Sequence, residues 1–519
     1  MLERKWWTLI AGCTAIFMLL LDVTIVNVAL PSIQRGLHAS FSDLQWVIDG
    51  YALTLASALL GAGSLADRVG RRRVFTLGLT VFTAASLMSG LAASPLWLEL
   101  ARGAQGIGGA MMFGTSLALI AQEFHGRERG VALGVWGATS AAAVSTGPLA
   151  GGLLTQALSW RWIFLVNVPI GIAAIALTRR RLTESRDEQA RGLDLPGLAA
   201  LSAGLFLLVF SLIRGNDQGW TSPVIAGSLA GAAASMGLFL AIEARARQPL
   251  LDLGLFRKPA FTGAALAGFC LHASVFSLFL YISLFFQNIL GYTPLQAGLR
   301  QLPVTALLLL VAPASGRLST WIPPRLLMGT GLSLVSLGLF LMHWLTVTSG
   351  WTALLPGQIL AGVGVGLTTP ALAATAVGVA PPARSGMASA ANNTARQLGI
   401  ATGIAALGAV FQHKILATLG PLLAGTAAAG HASRLARAVA AGGSRSALLQ
   451  APPAARAALG RAAHQAFVTG FNEIALVGSA VAAVGALAGY MLVRSRDLTP
   501  VTGRQHAGLA PVATAGSTA

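Results

Sequence analysis

Apolar residues in this chain come in windows of about twenty, the length an α-helix needs to cross a bilayer, and polar residues collect in the stretches between them. The pattern predicts fourteen spans, at 8–31, 46–65, 74–93, 97–121, 130–155, 160–178, 194–213, 222–243, 261–288, 297–316, 325–346, 352–377, 386–412 and 468–493. Six precede the pair at 194–243 and six follow it. The expected architecture is therefore an all-α integral membrane protein of 14 transmembrane helices, two six-helix bundles with a two-helix insert between them. Residues 1–178 form the first half, 179–260 the insert with its linkers, and 261–496 the second half. A long loop at 413–467 closes on an alanine-rich helix suited to lie on the membrane surface, and the tail 497–519 is expected to be disordered.

Faint repetition supports the two halves. Gly106-Ile107-Gly108 is followed by Arg129-Gly130-Val131-Ala132, and Gly362-Val363-Gly364 by Arg384-Ser385-Gly386-Met387-Ala388, at nearly equal separations. Parallel repeats of this kind are a transporter plan.

Composition agrees: 55% of residues are hydrophobic and only 10% charged, where a soluble domain carries about a quarter charged. The net charge of +18 does not mark a nucleic-acid partner, because the Lys and Arg sit in short clusters between spans. Those clusters, such as Arg71-Arg72-Arg73 and Arg179-Arg180-Arg181, fall on the side that holds both termini. The short loops opposite hold only Arg35, Arg161 and Arg214, which puts both termini in the cytoplasm of a bacterial cell. The first span lacks a cleavage site and reads as retained. Cys13 and Cys270 both lie inside spans, so neither a disulfide framework nor a metal site is expected, and no cofactor. No nucleotide-binding G-x-x-x-x-G-K-[ST] motif and no catalytic constellation occur, so an enzyme is not expected.

Against that apolar background the polar exceptions carry the chemistry. Asp22 lies well inside the first span, about 13 Å below the outer boundary at the helical rise per residue. Arg102 on the fourth span lies about 9 Å down, and Gln105, on the same helical face, about 13 Å. Acids and bases in hydrocarbon are costly and mark functional paths, so Asp22 and Arg102 read as partners, or as rivals for one proton. The plainer alternative for each is a tie between helices. Asp49, about 5 Å inside the second span, is a second protonation or substrate-cation site, or a wetted interfacial acid. The turn between spans two and three reads Gly63-Ser64-Leu65-Ala66-Asp67-Arg68-Val69-Gly70-Arg71; its glycines permit a tight turn, and Asp67 is placed to pair with a basic group or a helix N-terminus. Gly147, Pro148, Gly151 and Gly152 predict a kinked helix open to close approach. Phe276, Phe279 and Phe286 fall near one helical face and suit a lining for flat, lipophilic cargo.

These stretches resemble the major facilitator superfamily. G-x-L-A-D-R-x-G-R-R-R looks like its signature loop, Leu98 to Gly106 its fourth-helix motif, and Gly147 to Gly152 its fifth-helix motif associated with antiporters. Leu21 to Pro31, Gln45 to Tyr51, Trp160 to Asn167 and Pro249 to Leu253 resemble the fourteen-helix drug:proton antiporter branch. The counterpart loop of the second half, Gly316 to Trp321, has no Asp, so only the first-half loop fits the gating role the family implies. The resemblance implies a proton-coupled exporter of small hydrophobic or cationic compounds working by alternating access, its partners being that cargo, protons and the bilayer. Some relatives work with a periplasmic adaptor, which these residues do not decide; the loop 413–467 is a candidate docking surface. A narrow exporter of one metabolite or antibiotic fits the same residues, and a membrane sensor on this scaffold would need an output domain.

Overall fold

The computed structural model describes residues 3–124, 126–186, 194–246, 249–319, 321–380, 385–423, 439 and 453–494. Among them fourteen long helical segments follow one another: α1 (Arg4–Leu37), α2 (Phe41–Val69), α3 (Arg71–Gly90), α4 (Pro95–Glu123), α5 (Gly126–Ala157), α6 (Trp162–Arg181), α7 (Leu195–Gln218), α8 (Pro223–Arg245), α9 (Pro259–Ile289), α10 (Pro294–Leu318), α11 (Pro324–Met342), α12 (Leu355–Val379), α13 (Ser385–Leu423) and α14 (Pro453–Leu492). Twelve are long and apolar enough to cross a membrane, and α2, bent by 53° between Phe41–Leu59 and Gly61–Val69, makes thirteen. The expected count of fourteen is not reached, because α5 does not qualify. Its sequence is dominated by Gly, Ala, Ser and Thr rather than by large apolar residues.

The face at which α1 begins is called here the terminal face. On the opposite face, α2, α4, α8 and α10 all start on a Ser or Thr cap. The hydroxyls of Ser40, Ser94, Ser222 and Thr293 accept from backbone N–H groups of the first turn, and in the last three a proline follows at the first helical position. Such starts satisfy orphan donors and allow connections of only a few residues.

Lipid offers little drive for helices to associate, so close backbone approach at small residues matters most. The repeated glycine pair shows this in both halves. A Cβ on Gly106 would overlap Tyr51 of α2, and one on Gly108 would sit 2.6 Å from the Phe82 nitrogen of α3. In the second half, Gly362 meets the Val304 carbonyl of α10 at 2.7 Å, and Gly364 abuts Gly331 of α11. One glycine pair thus seats the corresponding two neighbours in each half.

Four elements depart from the spans expected. Helix α6 is broken at Val166 into Trp162–Leu165 and Asn167–Arg181. Helix α9 contains two π-helical turns, His272–Phe276 and Phe285–Ile289. Helices α13 and α14 run 39 and 40 residues, about 60 Å each by the helical rise, so both project beyond a hydrocarbon slab of roughly 30 Å. The helix expected to lie on the surface before residue 468 instead continues into α14. It packs Phe467 edge-on against Phe411 of α13 at 5.1 Å, and Lys414 pairs with Glu473 at 3.1 Å. The rest of the loop, apart from Val439, and the tail 497–519 lie outside the described residues.

Candidate functional site

Asp22 and Arg102 meet in the interior of the first half. Both are buried, Asp22 completely and Arg102 at 1% exposure. An Arg102 Nη1 donates to Asp22 Oδ2 and, at 2.8 Å, to Gln105 Oε1. Gln105 Nε2 donates to the other carboxylate oxygen, Oδ1, and to Ser86 Oγ, both at 2.9 Å. Arg102 Nε donates to the Val47 carbonyl at 2.9 Å, and the guanidinium lies over the Tyr51 ring at 4.3 Å. Four helices therefore converge: α1 brings the acid, α4 the arginine and glutamine, α3 the serine, and α2 the carbonyl and the aromatic face. A buried pair is tolerated only when its remaining hydrogen-bonding capacity is met, and here both carboxylate oxygens have partners. The arrangement can hold one negative charge, or exchange it for a proton with the network rearranged around it.

Ser86, the Val47 carbonyl and Tyr51 were not foreseen from sequence. A serine in a span carries no signal of its own; only its partner gives it meaning.

Asp49 is also completely buried, but neither carboxylate oxygen has a hydrogen-bond partner. It stands one helical turn from Gln45, whose amide donates to the Ile404 carbonyl of α13 at 3.0 Å. The structure thus puts Asp49 where α2 meets the second half, away from the Arg102 network.

At the terminal face, Asp67 accepts from Arg71 Nε and Nη2 at 3.0 and 2.8 Å. Gly70 has φ +121°, a conformation that favours glycine. A Cβ there would also sit 2.5 Å from the Glu184 carboxylate. Glu184 accepts from the Arg72 backbone N–H at 3.0 Å, capping α3, and Ser185 accepts from the Arg71 N–H at 2.8 Å. The segment after α6 therefore clasps this turn, a contact that sequence did not disclose. Gly63 has no neighbouring atom within 4 Å of a Cβ position, and Arg68 is exposed.

The glycines of α5 serve two partners. Gly147 and Gly151 pack on Thr24 and Ile25 of α1, where a Cβ on Gly151 would lie 2.6 Å from the Ile25 carbonyl. On the other side, a Cβ on Gly152 would lie 2.7 Å from the Pro294 carbonyl of α10, and Gly298 of α10 abuts the Pro148 carbonyl. Helix α5 thus joins α1, two residues past Asp22, to the second half.

Other contacts between the halves cluster toward the opposite face. Gln287 Nε2 donates to the Val28 carbonyl at 2.7 Å, and the Leu295 N–H to Gln156 Oε1 at 3.3 Å. Deeper, Ser145 Oγ donates to the Thr305 carbonyl at 2.7 Å. Toward the terminal face, Gly63 of α2, Gly134 and Gly137 of α5 and Gly316 of α10 have nothing within 4 Å. Among the described residues the halves touch toward the opposite face, whereas these four glycines toward the terminal face have open space beside them.

The three phenylalanines do not share one environment. Phe276 is half-buried and meets Phe279 edge-on at 5.9 Å. Phe286 is completely buried beside Phe285 and Tyr292, in the second π-helical turn.

Comparison with known proteins adds what geometry alone does not. The model of the Major Facilitator Superfamily matches residues 12–404. The Multidrug resistance protein Stp of Mycobacterium tuberculosis is 39% identical over 418 residues, covering 80% of this chain and 78% of its own length. The Tetracenomycin C resistance and export protein of Streptomyces glaucescens is 35% identical, covering 79% and 77%. The Methylenomycin A resistance protein of Streptomyces coelicolor is 36% identical, covering 77% and 84%. Among solved structures, a bacterial homolog of the human lysosomal transporter Spinster, in an inward-facing and unoccupied conformation, shares the fold. Its TM-score is 0.62 at 17% identity, over 96% of this chain and 99% of that one.

Proposed function

The chain belongs to the Major Facilitator Superfamily, and from that premise we propose that it exports small hydrophobic or cationic compounds across the bacterial cytoplasmic membrane in exchange for protons. Membership makes it a multi-pass membrane transporter rather than an enzyme. Drug export is supported by relatives named for multidrug resistance and for export of an antibiotic. Proton coupling rests on one observation above all: the buried Asp22, held by Arg102 and Gln105 in a closed hydrogen-bond network.

In this reading all fourteen helices cross the membrane and the arginine-rich terminal face is cytoplasmic. The face toward which the halves touch is then the outer one, and the conformation is inward-facing. A proton arriving at Asp22 removes the charge that holds Arg102, and the network rearranges. Asp22 precedes the Thr24–Ile25 segment that α5 grips, so the change reaches α5 and, through Gly152 and Pro148, α10. That chain of contacts links the state of the acid to closure of the outer face. Asp49 is a second proton site: an unpaired buried charge is costly, and a carboxyl carrying its proton avoids that cost. Asp67 and Arg71 hold the cytoplasmic turn of the first half as the halves rock. Gln105, Phe276 and Phe279 contribute to the cargo path, with Phe286 behind it.

A second reading, a narrow exporter of one antibiotic, is favoured by the relatives named for tetracenomycin C and methylenomycin A. One screen tests both. The chain is expressed in a pump-deficient strain and challenged with dyes, quaternary amines and antibiotics, with and without an uncoupler. Uncoupler-sensitive resistance to several classes supports the first reading, and to a single compound the second. No protection, or protection indifferent to the uncoupler, overturns the proposal.

A further inference from the structure

Midway along α13 the chain reads Asn392-Asn393-Thr394-Ala395-Arg396-Gln397. Arg396 lies about 17 Å along the helix from Ser385 by the helical rise, near the middle of a slab of roughly 30 Å. A charge at that depth calls for a partner or a function.

Its partners are neutral. Arg396 Nε donates to His272 Nε2 at 3.1 Å, and Nη1 to Asn393 Oδ1 at 3.3 Å. His272 Nδ1 lies 2.8 Å from the Gly268 carbonyl. A carbonyl only accepts, so Nδ1 carries the proton and Nε2 receives the arginine's N–H. Among the described residues no carboxylate pairs with Arg396, in contrast to Arg102 with Asp22.

The Arg396 side chain is also not fully enclosed. Arg396 is only half-buried, although α2, α7, α9, α12 and α14 all pack around α13. A Cβ placed on Gly268 would lie 3.5 Å from both Arg396 Cγ and Asn392 Oδ1. That amide oxygen is buried without a partner. The half-buried Phe276 stacks on His272 at 4.5 Å with the rings 8° apart. An unpaired cation, an unused acceptor and a flat aromatic face thus adjoin one another.

We propose that Arg396 receives an acidic oxygen of the cargo, a carboxylate or phenolate carried on a flat aromatic body that rests against Phe276. His272 and Asn393 are positioning residues that aim the guanidinium, and Asn392 accepts from an N–H or O–H of the same molecule. The proposal rests on the reading of the chain as a small-molecule exporter and adds acidic aromatic compounds to its cargo: a path built for cations alone gains nothing from an unpaired arginine.

Binding separates this claim from export. The purified full chain is titrated with 2-naphthoate and with its uncharged isostere 2-naphthamide, following the quenching of naphthalene fluorescence. The wild type is expected to bind the carboxylate at least about tenfold more tightly than the amide, since charge-assisted hydrogen bonds are the strong ones. Arg396→Gln should abolish that preference and leave amide binding unchanged, while Arg396→Lys keeps part of it. A wild type that does not prefer the carboxylate overturns the proposal without any variant having to fold, and so does a preference that survives in Arg396→Gln. Failure of export in the growth screen with the carboxylate preference intact would reject the exporter reading but not this site.

Discussion

Gly152 offers the sharpest handle on how the two halves close. A Cβ at this position would stand 2.7 Å from the Pro294 carbonyl oxygen, 2.8 Å from Leu295 Cα and 3.1 Å from the Leu295 nitrogen. All three are backbone atoms, so no side chain can swing aside. Restoring ordinary contact needs a shift of about half an ångström or more between α5 and α10. Overpacking of this kind costs about 1–3 kcal/mol. If the contact exists only while the opposite face is closed, Gly152→Ala should move the balance away from that state by about 5- to 150-fold. The control is Gly227→Ala on α8, where nothing lies within 4 Å. Spin labels at Leu158→Cys and Leu299→Cys, both exposed, in a background with Cys13 and Cys270 replaced by Ser, report the separation of the halves. The expected result is a longer-distance population in Gly152→Ala and none in Gly227→Ala. Identical distance distributions for Gly152→Ala and the parent would refute the reasoning.

Three further outcomes follow from the geometry. Gly70→Ala combines a φ of +121° with a Cβ 2.5 Å from the Glu184 carboxylate and should cost about 1–3 kcal/mol, read as a lowered Tm in detergent; Gly63→Ala, with open space around it, should melt as the wild type does. Asp67→Asn removes an ion pair whose side chains are 42% and 27% exposed, so stability should change by less than about 1 kcal/mol while the export rate falls. Arg102→Lys keeps the charge but cannot serve the Val47 carbonyl, Asp22 and Gln105 together; uncoupler-sensitive export in everted vesicles should drop at least about tenfold, because the planar fork is what a lysine lacks.

How much of this was legible in the residues depended on the range of the interaction. Helix positions came from hydropathy, which is local, and the repeated glycine pair was visible because it appears as a spacing in the chain. The meeting of Asp22, Arg102 and Gln105 was approachable because depth along a helix is a matter of counting residues. What counting cannot supply is rotation about the helix axis. Ser86, Tyr51, Glu184 and the pairing of Arg396 with His272 depend on which face each helix turns to its neighbours. The π-helical turns in α9 are likewise not signalled by residue spacing, and they alter the face on which Phe286 falls. The long ends of α13 and α14 were missed for another reason: beyond the hydrocarbon a helix need not be apolar, so hydropathy stops where the membrane does. Helix α5, expected as the span 130–155, falls short of a membrane-crossing helix in apolarity, since a helix wedged between α1 and α10 is built of small residues.

The mechanism requires that Asp22 carry the proton that cargo displaces. In weakly buffered detergent solution, adding a compound identified by the growth screen to the purified wild type should release protons, detected with a pH-sensitive dye. Asp22→Asn, which keeps an acceptor oxygen toward Arg102 but has no proton of this kind to give, should bind the compound and release markedly fewer. Proton release from Asp22→Asn equal to the wild type, at matched occupancy, would contradict the mechanism.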